Sequence, residues 1–418
     1  MRAGKLLIRP KSGTAMRSLA VADMPTRTQL IFILGALTAF GPFSTDMYLP
    51  SFTVMARDMN ASQAAVQATL SAFLIGLAAG QLVLGPLSDR YGRRLPLTAG
   101  IVLYIAAALA CALAPNIETL WVARFFQSLG VCAMIVVSRA TVRDFYSGAE
   151  GAHFLSMLML VLGLAPMVGP PIGALILDAY GWRGIFFLHA ALGALALIMV
   201  LLVFPESLPK SRRARGGILG VLKGYVTLLQ DRHYIVPTIA GDLVFAGLFA
   251  FLAGGPFVLA SVYGLEPQHF AFVFSFNAFG FLLGTQINAR LVRSYGPAKM
   301  LTVGLSIYGL AAIVLLFNAL TGFGGLAGIV LPLFLLFLSV GAAPANALAL
   351  AQEHYPHMAG SAAALFGSIQ FGIGAISGIL VGLLHDGTAV PMAGIIVTAA
   401  AIALTVNLLL TPKEARRS

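Results

Sequence analysis

What most constrains this chain is a succession of apolar stretches, each about 20 residues long, joined by short loops that hold most of the charge. A helix rises 1.5 Å per residue, so about 20 apolar residues cross the roughly 30 Å hydrocarbon layer of a bilayer. Such stretches run over 28–50, 64–86, 95–114, 118–138, 152–177 and 183–204, and again over 234–258, 267–289, 298–320, 326–351, 360–384 and 390–411. The reading is an all-α membrane protein of twelve transmembrane helices in two sets of six. Charged residues make up 10% of the chain and the apolar set 59%, against about 25% charged in soluble domains. A water-soluble enzyme with a charged skin is excluded, and there is no Gly-X-Y repeat to suggest a fibre.

Orientation follows from the cations, because short cytoplasmic loops collect Lys and Arg. With the N-terminus inside, 23 of the 26 Lys and Arg residues fall on the cytoplasmic side, only Arg57 and Arg183 fall outside, and Arg124 lies within a span. The expected organisation is a basic cytosolic tail over 1–27, a helical bundle over 28–204, a cytoplasmic linker over 205–233, a second bundle over 234–411 and a short tail over 412–418. The tail lacks an apolar core of signal-peptide length before Pro25 and reads as cytosolic, with Met16 and Met24 as alternative starts. The linker's cations read as a solvated loop facing lipid headgroups. Because the basic residues sit in these loops rather than on one polar face, nucleic acid is not an expected partner.

The two sets of six echo each other. Gly41-Pro42-Phe43 in helix 1 returns as Gly255-Pro256-Phe257 in helix 7, and Tyr91-Gly92 after helix 2 returns as Tyr295-Gly296 after helix 8. Weak internal symmetry of this kind marks transporters built from repeats. Gly-x-x-x-Gly spacings, which let helix backbones approach closely, occur at Gly76/Gly80, Gly169/Gly173, Gly280/Gly284 and Gly374/Gly378/Gly382. Helices 2, 5, 8 and 11 are expected to line one interface between the halves.

An ionisable group inside a span costs about 2.5–3.5 kcal/mol on insertion scales, so each is a functional candidate. Asp46 in helix 1 follows Pro42 by one turn, where the missing N–H loosens the helix. It reads either as a proton-coupling group or as a helix-end carboxylate wetted from outside. Arg124 in helix 4 stays charged and must face a carboxylate, a carbonyl or a water-filled cavity. Asp242 in helix 7 reads either as a coupling group or as a wetted or locally paired carboxylate. No Gly-x-x-x-x-Gly-Lys-Ser/Thr run, His-Glu-x-x-His or Cys-x-x-Cys is present, so no ATPase, metal site or cofactor is expected and the chain does not read as an enzyme.

Four motifs then resemble one family. GPLSDRYGRR is similar to the loop 2/3 signature of the major facilitator superfamily, with Gly85, Asp89, Arg90, Gly92, Arg93 and Arg94 in register. RFFQSLG, from Arg124, resembles its helix 4 motif, with Ser128 where a glycine is usual. GLAPMVGPPIGA resembles its helix 5 antiporter motif through Gly163, Gly169, Pro170 and Gly173, and STDMYLPSF resembles the helix 1 end of drug:proton antiporters. Within the superfamily the likeness is to the Bcr/CflA drug-resistance transporters.

The resemblance implies alternating access between two six-helix bundles in the inner membrane, with Asp46 as proton acceptor and Arg124 as its partner. It also implies a cytoplasmic gate in which Asp89 and Arg93 meet the end of helix 4 at Asp144. Two departures matter: Thr38 stands where some multidrug relatives carry a second acid, and Arg293-Ser294-Tyr295-Gly296 lacks an acidic gate residue. They turn the reading from strongly cationic drugs to neutral or zwitterionic amphipathic compounds. Phe43, Tyr48, Phe249, Phe251, Phe274 and Asn277 are the candidate pocket residues. The expected protein is a monomer that exchanges protons for a small molecule, with a transporter of one metabolite as the alternative and a non-transporting sensor as a third reading.

Overall fold

The computed structural model describes residues 26–146, 148–213 and 218–410. Most of both expected tails, and Arg215 of the linker, lie outside the described residues. Among the described residues the chain is almost wholly helical. Helix α1 (Arg27–Asp46) breaks into a 3-10 turn over Leu49–Ser51 and resumes as α2 (Phe52–Asp58), so the first span extends well beyond the expected 28–50. Helices α3 (Gln63–Tyr91), α4 (Arg94–Ala112) and α5 (Ile117–Phe145) follow. Helix α6 (Gly148–Val203) carries two spans divided at Gly181, whose φ of 71° is non-helical.

The linker is not only a loop. It contains α7 (Ile218–Gln230), an amphipathic helix that the short span of its apolar pattern hid among the cations. The second half runs α8 (Arg232–Asp242), α9 (Val244–Tyr263), α10 (Pro267–Tyr295), α11 (Pro297–Thr321), α12 (Gly325–Gln352), α13 (Ala359–Leu383) and α14 (Val390–Thr405) with a π turn over Val406–Leu410. Together, α8 and α9 form one broken span, as α1 and α2 do.

Helices α1 and α3 to α6 pack among themselves, as do α8 to α14, giving two six-helix bundles. The bundles meet where α3 lies on α13 and α6 lies on α10. These are the Gly-x-x-x-Gly helices, but of those glycines only Gly378 and Gly382 face the other bundle; Gly76, Gly80, Gly169, Gly173, Gly280, Gly284 and Gly374 pack against helices of their own half. A Cβ on Gly378 would sit 2.7 Å from the Ser71 hydroxyl, and one on Gly163 would sit 3.0 Å from a Leu282 methyl. Ser275 also donates to the Met167 carbonyl across the second seam at 2.7 Å.

The two halves touch near both membrane faces. Near the face where α1 begins and α14 ends, called here the terminal face, Gly367 lies against Gln81. Near the far face, the rings of Phe52 and Phe257 are 5.9 Å apart and Gly382 lies on Gln67 and Ala64. Trp182 and Arg183, beside the Gly181 kink, both donate to Asp58 and tie the end of α2 down.

Candidate functional site: a broken helix backed by glycines

Two features break the first span. Pro42 cannot donate a backbone hydrogen bond, and the helix stops at Asp46, leaving its last carbonyls without helical partners. Arg124 of α5 supplies one of the missing donors, its Nη2 reaching the Ser44 carbonyl at 2.8 Å while Nη1 donates to Gln127 Oε1 at 2.6 Å. The guanidinium is fully buried between the rings of Tyr48 and Phe73, each 4.2 Å away, with Phe186 at 5.7 Å. Desolvated stacking on ring faces is favourable for a cation and compensates in part for lost water. The Ser44 hydroxyl pairs with Tyr104 at 2.9 Å, which pins the same turn from the other side.

Asp46 is 4% exposed, so it is not a helix-end group wetted from the far face. Its Oδ1 accepts from the Thr45 hydroxyl at 2.8 Å. Among the described residues no ion pair joins it to Arg124, which serves the backbone two residues earlier instead. The expected direct pairing is absent because the broken helix offers the arginine a carbonyl first.

Helix α6 presses its glycine face onto this break. A Cβ on Gly173 would fall 1.7 Å from the Met47 carbonyl oxygen, so no side chain fits there. At Gly169 a Cβ would meet the Asp46 Cβ at an ordinary 3.6 Å. Close packing therefore requires a glycine at Gly173, whereas a methyl group fits at Gly169. Pro170, between them, is buried in the same helix.

Asp242 lies at a second break, between α8 and α9. It is fully buried, and neither carboxylate oxygen has a hydrogen-bond partner among the described residues. It is thus neither wetted nor locally paired, contrary to one of the two sequence readings.

At the terminal face Arg93 joins three elements. Its Nη1 reaches Asp89 at 2.6 Å and Ser88 at 2.8 Å, and its Nε and Nη2 hold Asp144 at 2.9 and 3.4 Å. Gly92, at φ 92°, makes the reversal between α3 and α4 in a conformation that favours glycine. Sequence reasoning missed the residues that complete this cluster. Glu206 accepts from the backbone N–H groups of Arg93 and Arg94 at 2.8 and 3.3 Å, capping the start of α4, and Ser207 donates to Asp144 at 2.8 Å.

The cluster lies within the first bundle and its linker. Arg94 reaches the Leu201 carbonyl at 2.7 Å, Arg90 lies over the Tyr91 ring, and a Cβ on Gly85 would meet open space. Arg94 therefore joins the Arg93 cluster only through its backbone N–H on Glu206, and these contacts of Arg90 and Gly85 lie outside it.

The aromatic candidates do not form one open pocket in this conformation. Tyr48 is under Arg124, and Phe251 stacks on Phe274 with ring centres 6.0 Å apart, closed in by Phe337 at 5.7 Å. Phe249 fills the space over Gly374, and Phe43 is half-buried against the core. Asn277 is fully buried, and its amide has no hydrogen-bond partner among the described residues.

A family model for the Major Facilitator Superfamily matches residues 32–379. The chain is 38% identical over 378 residues to an uncharacterized MFS-type transporter, YdgK, of Bacillus subtilis, covering 90% of this chain and 94% of the relative. It is 33% identical over 371 residues to a bicyclomycin resistance protein homolog of Haemophilus influenzae, covering 88% and 92%. Among solved structures the nucleoside transporter NupG superposes with a TM-score of 0.74 at 16% identity, covering 92% of this chain and 99% of that one. A D-xylose-proton symporter superposes with a TM-score of 0.71 at 17% identity, covering 92% and 98%. At such identities the superpositions speak for the fold alone. The chain belongs to the major facilitator superfamily and is a multi-pass membrane transporter, not an enzyme.

Proposed function

We propose that the protein is a proton-coupled exporter of small, neutral or zwitterionic amphipathic compounds, working by alternating access as a monomer in the inner membrane with both termini cytoplasmic. The observation that carries this reading is Asp46, a buried acid at a helix break, backed by a glycine face that belongs to a helix of the inter-bundle seam. Because α6 touches both the break and α10, any shift of the bundles against each other shifts the packing around Asp46. A carboxyl that alternates between a dry and a wet setting takes up and releases a proton as the bundles move.

Arg124 contributes by fixing the Ser44 carbonyl, so that the break keeps its shape while the carboxyl changes state. The Arg93, Asp89 and Asp144 cluster acts as the gate on the terminal face, and Asp242 is a second proton-binding group. The names of the relatives point the same way: a bicyclomycin resistance protein homolog, a chloramphenicol resistance protein of Pseudomonas aeruginosa and multidrug resistance protein D of Escherichia coli. One proton moving down about 100 mV and about one pH unit supplies roughly 2.3 and 1.4 kcal/mol, enough for about a 500-fold gradient of a neutral solute.

The test is proton release by the purified protein in weakly buffered detergent as a panel that includes bicyclomycin and chloramphenicol is added. At least one compound should release protons from the wild type, and Asp46→Asn should release measurably fewer, any remainder coming from Asp242. Binding without any proton signal in the wild type, or the same release from Asp46→Asn, would overturn the assignment.

A further inference from the structure

The linker helix α7 has two apolar stripes, of which the fold uses one. Tyr225 and Leu228 are buried with Tyr234, Ala351, Ala362 and Leu365 in a small cluster separate from the main core. The Tyr225 hydroxyl donates to the Leu82 carbonyl of α3 at 3.1 Å, and a Cβ on Gly224 would sit 2.8 Å from Met358, at the start of α13. Thus α7 bridges the two bundles across the α3·α13 seam. The second stripe, Leu222, Val226 and Leu229, recurs at helical spacing and is 50%, 51% and 46% exposed. Lys223 and Thr227, on the remaining side, are exposed and polar.

Depth decides what covers the second stripe. Helix α3 has 29 residues and is about 43 Å long, so it overhangs a 30 Å hydrocarbon layer by roughly 6 Å at each end. Leu82 lies nine residues before the end of α3 at Tyr91, or about 13 Å in, which places it inside the hydrocarbon edge. Its neighbour Val83 is apolar and 59% exposed. A helix hydrogen-bonded to the Leu82 carbonyl is held at the membrane boundary, where an apolar stripe enters the acyl region and cations meet headgroups. The sequence flanking α7 carries a cationic excess, with Lys210, Arg212, Arg213, Lys223 and Arg232 against Glu206 and Asp231, although Arg213 is paired with Glu206 at 3.5 Å.

We infer that the Leu222, Val226 and Leu229 face of α7 is a docking surface for anionic bilayer lipid, which holds this helix as a strap across the seam at the terminal face. Parting of α3 from α13 at that face requires α7 to leave either Leu82 or the cluster around Tyr234. Lipid that anchors α7 in place thereby favours the closed seam.

The experiment uses the full-length protein in nanodiscs of brominated lipid, with bimane attached at Val226→Cys or, as the opposing control, at Thr227→Cys. Cys111 and Cys132 are fully buried and do not compete for the label. Brominated lipid should quench the probe at position 226 at least about twofold more than the probe at 227, and iodide should do the reverse. Discs of brominated phosphatidylglycerol should quench position 226 more than discs of brominated phosphatidylcholine. Lys223→Gln should lower that preference up to about fivefold, as expected for losing one surface cation. Iodide quenching at 226 equal to that at 227 would mean that the face meets water or a soluble protein, and would overturn the inference. Equal quenching by the two lipids would overturn its anionic part. Neither readout depends on transport, so failure here is distinct from failure of the proton assignment.

Discussion

The first and seventh spans are each broken beside a buried aspartate, yet the two sites are built differently. Asp46 lies beyond the middle of its span, four residues after Pro42, whereas Asp242 lies short of the middle of its span, fourteen residues before Pro256. The sequence echo between Gly41-Pro42-Phe43 and Gly255-Pro256-Phe257 therefore does not make the two acids equivalent. Their immediate neighbours differ more. Asp46 follows Thr45, whose hydroxyl donates to it, while Asp242 follows Gly241, where a Cβ would lie 2.1 Å from the Ala347 Cβ of α12. Packing against α12 leaves no room for a donor at that position. An unpartnered buried carboxyl is costly even when neutral and far more so when ionised. The first half keeps a supported acid, and the second keeps one that gains partners only if its surroundings move.

The largest effect that would break this comparison lies in the glycine that supports Asp46. Gly173→Ala places a methyl group inside van der Waals contact of the Met47 carbonyl, and overpacking of this kind costs about 1–3 kcal/mol. We expect a lowered melting temperature in detergent and loss of transport in everted vesicles. Gly169→Ala, which meets the Asp46 Cβ at an ordinary distance, should change the melting temperature little. If Gly173→Ala melts and transports like the wild type, the glycine face does not hold the break.

A stability effect of comparable size and opposite sign, without the loss of packing, is expected at the second acid. Asp242→Val removes a buried polar group with no hydrogen-bond partner among the described residues, and should raise thermal stability by about 1–3 kcal/mol. The matching Asp46→Val discards a satisfied group and should lower stability. Two shifts of the same sign, read by differential scanning fluorimetry, would show that the acids are not distinguished by their partners.

Hydropathy alone made the spans legible, because twenty apolar residues in a row have few other uses; glycine spacing picked out α3, α6, α10 and α13, which do form the seam, although most of those glycines serve contacts inside their own bundle. The break at Asp46 was legible only in part. Pro42 and Pro50 marked weak points on either side of Asp46, but the apolar residues that continue to Met55 let the same prolines read either as a helix end or as a mid-span break. Glu206 and Ser207 were hidden for a different reason. They reach Arg93 and Asp144 across more than sixty residues of chain, and a carboxylate that caps a distant helix looks in sequence like any loop acid. The paired burial of Phe251 and Phe274 was likewise invisible, since an aromatic residue in an apolar span packs equally well against protein, lipid or ligand.

The smallest effect tests the donor itself. Thr45→Val keeps the shape of the side chain and deletes the hydroxyl that Asp46 accepts from, at a net cost of about 0.5–1.5 kcal/mol. That corresponds to a loss of roughly two- to tenfold in initial transport rate if the bond is needed while the carboxyl changes state. Thr45→Ser restores a hydroxyl at the same position and should recover most of the rate. Grafting the same donor into the second half by Gly241→Ser should fail, because the new Cβ collides with Ala347 before its hydroxyl can reach Asp242. A fully active Thr45→Val would mean that burial and the glycine face of α6 suffice for Asp46, and the difference between the two acids would then rest on their depth in the membrane rather than on a hydroxyl.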